Sequence, residues 1–145
     1  MNIKITSDST CDLSPELLLE YKITLVPLTV VKDGKEYKDG VDITPADIFA
    51  HVAAGGDLCK TAALGMGVYE DFFAKYAKDY DAVIHISLGS GFSSSYQNAC
   101  LAAEEFDNVL AIDSQNLSTG QGLVVLKACE LAKTAASLEE IRAGL

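Results

Sequence analysis

The chain is 145 residues long, the size of one ordinary domain, and its 21 acidic and 11 basic residues give a formal net charge of −10. That balance disfavours nucleic acid and anionic membrane surfaces, both of which are gripped by positive patches. Apolar residues make up 49% of it, enough for a packed core, yet runs such as Leu123-Val124-Val125-Leu126 are far too short to cross a bilayer, so no membrane insertion is expected.

Met1-Asn2 leads straight into Ile3-Lys4-Ile5, without a basic segment or a long apolar stretch; no signal peptide is read there, and a cytoplasmic location is expected. Ile3 to Thr6 alternates as a short strand and ends in the hydroxyl-rich Ser7-Asp8-Ser9-Thr10. Ser14-Pro15 is a helix start, with Ser14 as N-cap and Pro15 where a missing N–H costs nothing, and the helix is predicted to run to about Tyr21. Thr24 to Val31 is β-branched and apolar, and Asp33-Gly34 supplies a hairpin turn before Glu36-Tyr37 returns. Thr44-Pro45-Ala46-Asp47 starts a second helix that stops at Gly55-Gly56. Cys59 to Ala63 is a short extended piece, and Tyr69, Phe72, Phe73 and Tyr76 recur at helical spacing as core packing.

Asp81 to Ile86 is the next strand, followed by a loop and a helix from Ser93 to Phe106. Asn108 to Ile112 is a further strand ending in Asp113-Ser114; an apolar helix is predicted from Thr119 to Ala136, and Ser137-Leu138-Glu139-Glu140 is a capping box opening one more. Strands alternating with helices imply a single α/β domain, a three-layer α/β/α arrangement around a mostly parallel sheet. Ligands then bind beyond the carboxyl ends of the strands, where Ser7 to Thr10, Ser87 to Ser95 and Asp113 to Ser118 are expected to converge on one rim. Cys11, Cys59, Cys100 and Cys129 lie far apart with no C-x-x-C pair, and only His51 and His85 could join them. They read as reduced thiols, and no metal or cofactor site is assigned.

The stretch Ser87 to Gln97 carries the chemistry. Five serines and two glycines occupy eleven residues between a strand and a helix, with no Lys or Arg. A helix start leaves backbone N–H groups unpaired and bears positive dipole charge, so such a loop suits an anion. The lack of cations argues for one carboxylate over a polyphosphate. Gly89-x-Gly91-x-x-Ser94 with Asp113 at the next strand end approaches a dinucleotide fingerprint, but Ser94 lacks the close packing of the third glycine. A nucleophile elbow at Ser93 fails because position 95 is serine rather than glycine. Asp8 and Asp113 are candidate acid–base groups whose simpler reading is an Asx-turn, and His85 reads as packing or bonding locally. No catalytic residue is assigned.

Taken together, Ser7-Asp8-Ser9-Thr10-Cys11-Asp12-Leu13, Val26-Pro27-Leu28, Tyr37-x-Asp39-Gly40-x-Asp42-Ile43, Ser93-x-x-Tyr96-Gln97 and Asp113-Ser114 resemble the DegV family over essentially the whole chain. The resemblance implies a fatty-acid carrier rather than an enzyme: hydroxyls hold the carboxylate of a long-chain fatty acid near the junction of two lobes, the tail lies in an apolar tunnel of the first lobe, and a separate fatty-acid kinase phosphorylates the acyl group. It implies that these residues form the N-terminal lobe of a protein about twice as long, with the second lobe absent. By position, Ser93 is the serine of the family's Ser-Gly-Thr-Tyr-Gln motif and Thr61 the threonine of its Thr-Ser-Gln-Pro-Ser motif, and both would bond the carboxylate. Gly91, Ser94 and Ser95 complete the candidate ligand-binding set. Two departures stand out: Ser94 replaces the motif's glycine, and Thr61-Ala62-Ala63-Leu64-Gly65 lacks the serines and proline. An exposed lobe interface would also favour self-association. Two other readings stay open, an enzyme using the Gly89/Gly91 loop for a nucleotide or phosphorylated substrate, and an isolated lobe acting as an interaction module.

Overall fold

In the computed structural model, which describes residues 1–134 and 137–145, β1 (Ile3–Asp8), β2 (Thr24–Val26), β6 (Ala82–Ser87) and β7 (Val109–Asp113) form a parallel sheet in the order β2-β1-β6-β7. The chain steps outward from β1 to β2 and then returns to the other side of β1. The strand order therefore reverses between β1 and β6, the place where a crevice opens in such sheets. A second, antiparallel sheet of β3 (Thr29–Lys32), β4 (Lys35–Lys38) and β5 (Lys60–Ala62), in the order β4-β3-β5, was not expected as a separate unit.

The predicted strand Thr24 to Val31 is split between the two sheets, and Pro27 explains why. Proline has no N–H for a ladder, and at Leu28 the next N–H goes to Ser9 Oγ at 3.1 Å. The extended piece predicted at Cys59 to Ala63 is β5, paired to β3.

Helices α3 (Met66–Phe73) and α4 (Ser95–Ala103) cover one face of the parallel sheet; α1 (Pro15–Glu20), α5 (Thr119–Ala132) and α6 (Leu138–Gly144) cover the other. The three-layer expectation holds. Every residue of β6 is buried, because helices cover both faces of this central parallel strand. Val83 joins Tyr69, Phe72, Phe73, Ala99 and Ala102 on one side, while Ile84 and Ile86 join Ile5, Val125, Ala128 and Ile141 on the other. Burying side chains of this size contributes about 1.5–3 kcal/mol each. Small residues let the helices sit close: a Cβ at Gly122 would stand 2.7 Å from the Cys11 carbonyl oxygen.

The capping readings hold at Ser14, whose Oγ accepts the Leu17 N–H, and at Thr44, where Thr44 and Asp47 bond reciprocally at the start of α2 (Pro45–Ala53). Ser137 Oγ likewise accepts the Glu140 N–H. α4 is shorter than predicted, beginning at Ser95 rather than Ser93 and ending at Ala103 rather than Phe106. The predicted end of α5 at Ala136 lies outside the described residues; the described helix ends at Ala132. No helix among the described residues is long and apolar enough to cross a membrane.

Candidate functional site

Asp8 ends β1 and Ser87 ends β6, the two strands on either side of the switch point. Three loops leave these strand ends and meet. Ser118 N–H bonds the Thr10 carbonyl at 3.0 Å, Gly89 N–H bonds the Asn116 carbonyl at 2.8 Å, and Ser114 N–H bonds the Ser87 carbonyl at 3.2 Å. A Cβ at Gly89 would come within 3.0 Å of Asn116 N, so this glycine is required by loop packing. The expected convergence on one rim is observed.

Above that rim lies a cleft of about 500 Å3. One wall is Leu88, Phe92, Ser93 and Ser94 from the loop before α4; the facing wall is Thr61, Ala62 and Ala63 from the end of β5, with Leu28, Thr10 and Leu117 completing it. Leu28 and Leu88 are buried members of the aromatic core cluster, so the floor of the cleft is continuous with apolar core. Phe92 and Leu117 remain 63% and 44% exposed. Not one lining side chain is charged. What the cleft offers a ligand is hydroxyls, backbone and apolar surface.

Of the five residues singled out from sequence, Ser93, Ser94 and Thr61 line this cleft, while Ser95 and Gly91 do not. Ser93 is half-buried and its Oγ accepts the Ser95 N–H at 3.1 Å, so the side chain of this cleft-lining residue also caps the first residue of α4. Ser95 is fully buried behind it, its Oγ 3.0 Å from Ser93 Oγ. Ser94 is exposed and occupies the N-cap position without a side-chain capping bond. Gly91 is exposed, and a Cβ there would meet nothing within 4 Å.

Beneath the cleft is a polar group that sequence reasoning undervalued. Asp8 is not an Asx-turn residue: it is fully buried. Its Oδ2 accepts Ser87 Oγ at 2.7 Å and Leu88 N–H at 2.8 Å; its Oδ1 accepts Tyr69 OH at 2.7 Å and faces His85 Nε2 at 3.2 Å. Burial pushes the Asp8 pKa up, but the adjacent His85 ring and the bonds from His85, Ser87 and Leu88 outweigh it and hold the carboxyl below its ordinary range. Tyr69 is driven the other way, by burial first and then by the Asp8 charge, against the hydroxyls of Ser95 and Ser87. It stays a donor. His85 packs among Tyr69 and Phe73 with ring centroids 5.3 and 5.4 Å away, and its Nδ1 lies 3.1 Å from Thr6 Oγ1. The local role expected for His85 holds. A readable signal was His85 within the apolar run Ala82 to Ile86, a polar side chain that pairs with Thr6 in the parallel register. Asp113, by contrast, accepts the N–H groups of Ser90 and Gln115 as an Asx-turn residue does.

A second depression, of about 470 Å3, lies at the amino end of β1 and includes Lys4, Lys22 and Lys133. Lys4 Nζ is already used, donating to the Lys22 carbonyl at 2.6 Å and lying 5.3 Å from the centre of the Tyr76 ring. This is a buried lysine satisfying a helix end, and the cleft at the carboxyl ends of the strands remains the candidate site.

Comparison with known proteins identifies the family. A DegV domain-containing protein of Clostridium acetobutylicum is 38% identical over 142 residues, covering 97% of this chain and 51% of that protein. A DegV family protein of Thermus thermophilus, solved for its fatty-acid binding, superposes with a TM-score of 0.90 at 33% identity over 99% of this chain and 51% of its own. A stearic acid-binding protein of Eubacterium ventriosum superposes with a TM-score of 0.87 at 32% identity over 97% of this chain and 51% of its own. The chain thus spans about half the length of the curated relatives it matches. The family model described as "Uncharacterised protein, DegV family" matches residues 2–145, and the chain belongs to the DegV family.

Proposed function

We propose that this chain is the N-terminal lobe of a fatty-acid carrier, which holds a long-chain fatty acid by its carboxylate and does no chemistry of its own. The observation that carries the reading is the cleft: Thr61 and Ser93, from different elements, line one space that has no charged side chain and whose floor is apolar core. A single carboxylate suits two hydroxyls and the start of α4 better than a polyphosphate does, because there is no cation to balance more charge. The names of the solved relatives, which bind fatty acids, support the same ligand class. In this reading the tail runs over Leu28 and Leu88, and Ser95 serves as the support that orients Ser93.

The exposed Phe92 and Leu117 mark the mouth, where a second lobe or a second copy would cover apolar surface. A separate fatty-acid kinase would reach the acyl carboxylate from this side. The direct test is titration of delipidated protein with oleic acid. Ser93→Ala is expected to weaken binding by about 1.5–3 kcal/mol, the range for one hydrogen bond to a charged group, and Thr61→Val by a similar amount. Unchanged affinity in both variants would remove the carboxylate from this cleft, and a wild-type protein that takes up no oleic acid would remove the ligand.

A further inference from the structure

The tetrad Ser7-Asp8-Ser9-Thr10 contributes only Thr10 to the lining of the cleft, yet all four of its side chains tie other parts of the fold to the end of β1. Ser7 Oγ donates to the Ile86 carbonyl at 2.7 Å and accepts Gln121 Nε2 at 3.0 Å. Ser9 Oγ accepts the Leu28 N–H and donates to Asp39 Oδ2 at 2.6 Å, anchoring the antiparallel sheet. Thr10 Oγ1 donates to Gln121 Oε1 at 2.8 Å, anchoring α5. Asp8 is the centre of the set.

From this arrangement we infer that Asp8 is the positioning residue for the acyl site, setting the hydroxyl geometry of both cleft walls and with it the preference for a carboxylate head group. The inference rests on the fatty-acid reading for what the cleft holds. Through Oδ2 the carboxylate fixes Ser87 and Leu88, the residues from which the Ser93 loop departs. Through Oδ1 it fixes Tyr69 of α3, the helix reached from Thr61 by the short link Ala63 to Gly65. The Ser95 hydroxyl that braces Ser93 also faces the Tyr69 phenol. One buried group thus ties both walls to the end of β1.

An ionised carboxylate only accepts, with about four lone-pair sites, and here three donors, Tyr69 OH, Ser87 Oγ and Leu88 N–H, surround it together with the His85 ring, whose Nε2 donates when it carries the proton. An amide of the same shape does not reproduce it. Asp8→Asn removes the charge and turns one oxygen into an NH2 group: on the Oδ2 side it meets the Leu88 N–H head-on, and on the Oδ1 side the Tyr69 hydroxyl and the His85 ring must reverse their roles to accept it, so the charge-assisted bonds to both walls are lost either way. The variant keeps the Asn98 Nδ2 bond to the Leu64 carbonyl at 2.7 Å, which joins the walls independently.

The experiment compares oleic acid with oleyl alcohol, which has the same tail and no charge, as ligands of the wild type and Asp8→Asn at a temperature where circular dichroism shows both folded. Peptides 86–98 are followed by hydrogen exchange in parallel. For Asp8→Asn we expect the acid to lose roughly tenfold or more in affinity and the alcohol less than about twofold, since the lost contacts are hydrogen bonds to a charged head. Exchange at Leu88 should rise while that of Val109 to Asp113 holds. Loss of both ligands in parallel would mean a merely stabilising Asp8 and overturn the inference, as would an unchanged acid-to-alcohol ratio. If the wild type itself shows no preference for the acid, the fatty-acid reading fails, and the exchange arm decides the positioning role alone: unaltered protection at Leu88 overturns it. Should Asp8→Asn not fold, Tyr69→Phe removes one of the three donors. It should cut the acid-to-alcohol ratio by roughly threefold or more, and an unaltered ratio counts equally against the inference.

Discussion

Replacing Tyr69 by Phe removes one oxygen from a site where every neighbour is known. The ring is fully buried and stays in contact with Phe73 and His85, at centroid separations of 5.9 and 5.3 Å, so the substitution opens almost no cavity. What disappears is the 2.7 Å bond to Asp8 Oδ1. A hydrogen bond to a charged group contributes about 1.5–3 kcal/mol, and this one helps hold the Asp8 carboxyl in its ionised form. The folded Asp8 pKa is lowered. Such a group adds stability above its unfolded pKa, near 4, and loses it as the pH falls through the folded value. Tyr69→Phe raises the folded pKa back toward the unfolded one, so its stability deficit should be full at pH 7 and shrink below about pH 4. Urea unfolding of both proteins between pH 3 and 7 measures this. A deficit below about 0.5 kcal/mol, or one independent of pH, would refute the view that Asp8 is an ionised acceptor for Tyr69.

Two further predictions concern glycine and its replacement. Gly122→Ala should destabilise by about 1–3 kcal/mol in urea unfolding, because the new Cβ meets the backbone oxygen of Cys11 at 2.7 Å and neither partner is a flexible side-chain end. Alanine's better helix propensity, worth up to about 1 kcal/mol, works the other way, so a stabilised variant would show that α5 can slide off the Ser9–Cys11 turn. Ser94→Gly should leave stability within about 0.5 kcal/mol, since the side chain is exposed and makes no capping bond. The same change should tighten oleic acid by roughly 0.5–1.5 kcal/mol, one hydrogen bond to backbone newly accessible beside Ser93; weaker binding in the same titration would show that the Ser94 hydroxyl is itself a ligand.

Most of the fold was legible because each parallel strand, its helix and the cap between them are encoded within a few consecutive residues. The features that were missed are those that depend on partners distant in sequence. Thr24 to Val31 has the β-branched composition of one strand, and only the presence of two sheets assigns its halves to different ladders on either side of Pro27. The start of α4 was misplaced by two residues for a related reason. Three consecutive serines all suit an N-cap, and the choice falls on Ser94 because Ser93 is drawn back by the Ser95 N–H and Ser95 into the core against Tyr69.

The site shows the same division more sharply. Hydroxyls in a cation-free loop pointed from composition to Ser87 to Gln97, the resemblance singled out Ser93 within it, and the loop is where the cleft lies. Asp8 stood in plain sight at the end of β1, yet the ordinary behaviour of an aspartate in a strand-end loop, accepting nearby N–H groups, hid what it does. Asp113 behaves that way and Asp8 does not, though both end parallel strands of one sheet. The difference is position in the sheet. Asp113 ends the edge strand β7, half-buried and served by N–H groups of its own loop and of the loop after β6; Asp8 ends the strand at the switch point, sealed between α3 and β6, where Tyr69, His85, Ser87 and Leu88 surround it. A carboxylate costs too much to bury without such partners. The polar residues that look out of place in apolar elements, His85 in β6 and Tyr69 in the aromatic stripe of α3, are there to meet it.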